Sequence, residues 1–160
     1  MNRPGILVFL VLVTFATKAI DSKPPRTQSP GTVEAYVPDL GAMMDSIQLH
    51  HAKLWFAGKA GNWELSAYEL NEIRENFAVV VQYRDQIIKE KQIAAIVDTI
   101  MVEPIAQVEH AVSAKDHASF EKAFDDLTTT CNSCHRAAGY PFISIQRPSA
   151  PPVTNQRFGE

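Results

Sequence analysis

The chain has 160 residues, 46% of them apolar, which is enough to build one core and gives no sign of a second. Eighteen acidic against 15 basic side chains give a formal charge of −3. With no basic run among them, that balance argues against nucleic acid and anionic lipid as partners.

The first residues read as an export signal. Arg3 precedes an apolar run from Ile6 to Phe15, and Thr17 and Ala19 are small residues placed for signal peptidase. The run is too short to span a bilayer, so residues 1–19 are expected to be a signal peptide. Lys18 just before the cleavage site is unusual, and an uncleaved membrane anchor is the competing reading. No cysteine follows the run, which removes a lipoprotein. Cleavage takes away Arg3 and Lys18 and leaves 13 basic against 18 acidic side chains, a formal charge of −5. No stable membrane association is expected of the mature chain.

Residues 20–37 are polar and rich in proline, without periodicity, and are expected to be a disordered linker. From Pro38 onward Leu40, Met43 or Met44, Ile47, His51, Leu54 and Gly58 recur at helical steps, so the spacing predicts helix one over 38–58. A short connection through Gly61 leads to Asn62, a good N-cap with Glu64 in the first turn behind it. Helix two carries a stripe of Leu70, Ile73, Phe77, Val80, Arg84 and Ile87 and ends in Lys89-Glu90-Lys91, a charge run that reads as a solvated helix end. Helix three shows Ile93, Ile96, Ile100, Pro104, Val108 and Ala111, and Pro104 inside it predicts a kink or a restart. The boundary between helices two and three carries no glycine or proline.

Ser113-Ala114-Lys115-Asp116 supplies a turn and a cap before helix four. There Phe120, Phe124, Leu127, Cys131, Cys134 and Ala138 follow at steps of 4, 3, 4, 3 and 4, so the cysteines continue the apolar face. Cys131-Asn132-Ser133-Cys134-His135 spells C-x-x-C-H. Two thiols at this spacing can each add across a haem vinyl group, and the adjacent imidazole supplies an axial ligand. Zinc would need further ligands at similar spacing, and a redox dithiol usually sits in a βαβ context; these are the only cysteines, and no strand-helix alternation is evident. Export agrees with haem c, because attachment is completed outside the cytoplasm. The acidic surface fits docking to a basic patch on a redox partner protein. Residues 140–160 leave the helix at Tyr140-Pro141, alternate through Phe142, Ile143 and Ile145, and end rich in proline. An extended tail over the protein surface, covering a haem edge, is expected.

Four amphipathic helices with short connections and C-x-x-C-H near the end of the last resemble the cytochrome c′ family, periplasmic four-helix-bundle haem proteins. The resemblance spans 38–138 as architecture and is specific where Phe120-Glu121-Lys122-Ala123-Phe124-Asp125-Asp126-Leu127 leads into the motif and Arg136. It implies an all-α, up-down-up-down four-helix bundle over 38–139, located in the periplasm. It further implies Cys131 and Cys134 as thioether anchors, His135 as the proximal iron ligand, and Arg136 as the basic residue beside it. A homodimer through apolar faces of helices one and two is also implied. Helix one has no counterpart of the family's arginine near the haem, and the tail is an addition. Gln48-Leu49-His50-His51-Ala52-Lys53-Leu54-Trp55 is similar to a segment of uncharacterised bacterial cytochromes that share the tail.

Function turns on what faces the iron opposite His135. In an antiparallel bundle the end of helix four lies beside the start of helix one. At about 1.5 Å per residue, Met43 and Met44 lie roughly 8 Å into helix one and His51 roughly 20 Å. Depth favours methionine, and Met44 shares the apolar stripe; Met43 and His51 are the alternatives. Trp55, Phe56 and Trp63 read as core, and His110 and His117 as surface. Methionine ligation implies a one-electron carrier, whereas an open iron implies a five-coordinate protein binding small gases such as NO or CO. A peroxidase would want a distal base with an arginine partner, for which His51 alone is a poor case.

Overall fold

The computed structural model describes residues 39–82 and 92–159. The expected signal peptide, the linker, Pro38 and the charged end of helix two lie outside these residues, as do Arg84 and Ile87. Among the described residues there are five helices and no strand. They are α1 (Leu40–Lys59), α2 (Trp63–Gln82), α3 (Gln92–Ile100), α4 (Val102–Ala114) and α5 (His117–Ala137). None of them is long and apolar enough to cross a membrane.

Local chemistry sets the ends of these helices. Asp39 is extended and its Oδ1 accepts the Ala42 N–H at 2.8 Å, which caps α1. At the other end Gly61 takes φ +73°, while its N–H bonds Gly58 and that of Asn62 bonds Ala57. This closure needs a left-handed residue and returns the chain, whereupon Asn62 Oδ1 caps α2 through the Leu65 N–H at 3.1 Å. Lys115 makes the same left-handed turn at φ 54°, and Asp116 caps α5 through Ala118 and Ser119.

The third expected helix is divided. α3 and α4 part at Met101, three residues before Pro104. A proline four residues after Ile100 cannot donate to its carbonyl and crowds it, so the ladder stops there. Pro104 then occupies the first turn of α4, where a missing N–H costs nothing. The break leaves Met101 2% exposed and packed into the core.

The apolar stripes converge as their spacing predicts. Leu54, Ile73, Val80, Val108, Phe120, Phe124 and Leu127 are all essentially solvent-free. One buried charge accompanies them: Glu69, 1% exposed, lies 2.6 Å from His50 Nδ1 across the α1–α2 contact. The C-terminal part of α1 lies against the beginning of α5. Lys59 bridges Glu121 at 2.6 Å, Trp55 packs on Phe124 with ring centroids 4.9 Å apart, and His51 packs on the same ring at 4.4 Å. Gly58 permits this approach, because a Cβ there would fall 2.1 Å from Phe120 Cζ. The first turns of α1 are thereby brought to the last turns of α5.

After α5, Gly139 takes φ +85°, with its N–H bonded to Arg136 and that of Tyr140 to His135. A turn with Pro141 at its second position follows, closed by the Ile143 N–H on the Tyr140 carbonyl at 3.0 Å. The tail then runs back along α5. Arg147 pairs with Asp125 and lies 4.4 Å over the Trp55 ring, and Phe158 is buried against Phe56. The expected surface tail is therefore held along its length.

Gly58→Ala is expected to push α1 and α5 apart, lowering unfolding free energy by about 1–3 kcal/mol. Chemical denaturation checks this, and pairing the change with Phe120→Leu should recover part of the loss.

Candidate functional site

A cavity of ≈330 Å3 lies where the start of α1 meets the end of α5. α5 contributes Cys131, Cys134 and His135, while α1 contributes Met44, Ile47 and His51. Phe77 from α2 and Met101 from the α3–α4 break close one side, and Tyr140, Ile143 and Ile145 of the tail close another. The wall is mainly apolar.

Helical spacing explains the α5 face. Cys134 is buried and Cys131 half-buried, seven and four residues beyond Leu127 and sharing its stripe. As free thiols both are pushed up by desolvation, Cys131 to about 12 with a smaller contribution from Cys134. A redox dithiol requires the opposite, a thiol made acidic by its surroundings. Burial therefore leaves both thiols protonated in an apolar wall, a poor setting for a redox pair.

His135 Nδ1 lies 3.1 Å from the Ile143 carbonyl oxygen. A carbonyl only accepts, so the proton sits on Nδ1 and the lone pair on Nε2 is left for a metal. A porphyrin brings four nitrogens of its own and asks the protein only for axial donors. The two thiols, one oriented imidazole and an apolar cavity thus fit a haem.

On the α1 wall the two methionines part company. Met44 is half-buried and lines the cavity, whereas Met43 is 3% exposed, sits in the core and is not among the lining residues. His51 also lines the cavity, 4% exposed, with Nε2 2.8 Å from Thr128 Oγ1. The Thr128 hydroxyl donates its only proton to the Phe124 carbonyl at 2.8 Å, so it must accept from His51. That makes His51 the Nε2–H tautomer, with an unprotonated Nδ1. Burial lowers its pKa to about 4.

Arg136 is exposed, donates to Ser133 Oγ at 2.9 Å and does not line the cavity. His117 packs at a tilt against Trp63 at the far end of α5, and His110 is exposed on α4. Trp55 is buried, with Phe56 and Trp63 half-buried beside the core. Sequence reasoning passed over Met101, Thr128 and Asn132. The only available signal for Met101 was its place just ahead of Pro104, and nothing marked the other two as different from ordinary helical polar residues.

Comparison of the chain with protein-family models, with curated proteins and with solved structures finds no match.

The lowered pKa of His51 makes stability depend on pH. Between 6.5 and about 4 the unfolded chain binds a proton there that the folded chain does not. Stability from this group is therefore complete above pH 6.5 and lost on acidification, by about 3 kcal/mol across the window. Urea titrations at pH 7 and pH 4.5 should show this slope, and His51→Gln should flatten it.

Proposed function

We propose that the chain is a c-type cytochrome carrying one covalent haem c, an up-down-up-down four-helix bundle of the cytochrome c′ kind, exported to the periplasm. Its role is one-electron transfer with a redox partner protein. The observation that carries this reading is the single cavity that gathers Cys131, Cys134 and His135 from α5 with Met44 and His51 from α1. When bound, haem supplies an iron that exchanges one electron.

Each residue contributes a separable part. Cys131 and Cys134 hold the ring by thioether bonds, and His135 offers Nε2 as proximal ligand. Met44 reaches the cavity with a flexible thioether, the side chain best suited to close the sixth position. His51 is committed to Thr128 through Nε2 and stays neutral, so it adds no charge to the cavity. Leu49 on α1 and Tyr68 on α2 are exposed apolar side chains available to a homodimer.

A second reading is binding of small neutral gases at a five-coordinate iron. It is favoured by the apolar side chains of Leu40, Ile47, Phe77 and Met101, which line the cavity beside Met44. A peroxidase finds less support, since no arginine among the described residues lines the cavity.

Expression of the whole chain with a c-type maturation system should give haem that survives a denaturing gel and disappears in the Cys131→Ser, Cys134→Ser double variant. The ferric and ferrous visible spectra should be low-spin and unchanged by carbon monoxide, and Met44→Ala should become high-spin and take up the gas. A high-spin wild type that binds carbon monoxide would replace electron transfer by gas binding. Absence of covalent haem would sink both.

A further inference from the structure

The segment after α5 does more than cover the cavity. Asn132, inside the C-x-x-C-H motif, uses its whole carboxamide on one tail residue: Oδ1 accepts the Ile145 N–H at 2.7 Å, and Nδ2 donates to the Ile145 carbonyl at 2.8 Å. Two residues earlier, the Ile143 carbonyl meets His135 Nδ1 at 3.1 Å. We propose that residues 143–145 form a strap that positions the Nδ1–H tautomer and ring plane of His135 for iron, with the Ile143 carbonyl as its partner and Asn132 as the residue that sets the register. The inference rests on the haem reading above.

The geometry is internally consistent. Asn132 and His135 are three residues apart and share one face of α5. The Ile143 and Ile145 carbonyls both meet α5, on His135 Nδ1 and Asn132 Nδ2, so fixing the Ile145 backbone also holds the approach of the Ile143 carbonyl. A slip of one residue would break both bonds from Asn132 and turn that carbonyl away. The Tyr140–Ile143 turn precedes the strap, and beyond it the tail continues to the separate pairing of Arg147 with Asp125, at 2.6 Å from Nη2.

A hydrogen bond from the non-ligating nitrogen fixes an imidazole's orientation and makes the ligating nitrogen a stronger donor. Stronger donation favours ferric over ferrous iron, so the strap holds the reduction potential down. Asn132 is therefore a positioning residue that acts through Ile143 on His135. Replacing it leaves both thiols and the imidazole in place.

The test uses the full exported chain as wild type, Asn132→Ala and Arg147→Ala, each first scored for covalent haem on a denaturing gel. Asn132→Ala should keep its haem, move its midpoint potential to more positive values, and exchange the His135 Nδ1 proton with D2O about tenfold faster or more by NMR. Arg147→Ala loosens the tail beyond the clamp and should lower thermal stability while leaving potential and exchange near wild type. An unchanged potential and exchange rate in Asn132→Ala, or an equal shift in Arg147→Ala, overturns the strap and leaves the haem reading standing. A wild type without covalent haem overturns the haem reading and this inference together.

Discussion

The seat of Phe120 over Gly58 sets how closely α1 and α5 can approach, and the cavity at the other end of the same helix pair inherits that spacing. With no side chain at 58, the ring lies where a Cβ would fall 2.1 Å away, and Trp55, Phe124 and His51 continue the contact toward the cavity. Side chains then diverge just enough for Met44 to face Cys131 and Cys134 across ≈330 Å3. A site of this kind is made by rigid elements held apart at one end and clamped at the other.

Among the described residues buried polar groups are few, and each is tied to a partner. Thr128 receives the His51 proton because its own is given to Phe124, and Glu69 is met by His50. The His51–Thr128 and His50–Glu69 contacts cross between helices, so they also oppose sliding of one helix along another. The cost of burying them is recovered only while every partner is present.

Much of this could be read before any coordinates. The stripes from Leu40 to Gly58 and from Phe120 to Ala138 are buried or half-buried as their spacing predicts, and the caps at Asn62 and Asp116 fall where small polar residues precede apolar runs. The motif is read directly from the sequence, and depth along helix one favours Met44 over the alternative His51; the cavity is lined by both and by the motif. What escaped depends on contacts between distant residues. Nothing local distinguishes Met43 in the core from Met44 at the wall, since both are apolar and one residue apart. The use of Asn132 requires knowing where Ile145 returns, and the division at Met101 rather than at Pro104 follows from the carbonyl four residues back.

The tail joins residues far apart in the chain, with Phe158 resting on Phe56 about a hundred positions earlier. Contacts that close so long a loop carry the largest entropic cost, while each helix hairpin closes a short one. Nearer the site the tail returns over shorter loops, from Ile145 to Asn132 and from Arg147 to Asp125. Lifting those residues would leave α5 and the shared face of Cys131 and Cys134 as they are and open one side of the cavity, so the segment that meets His135 is also a door.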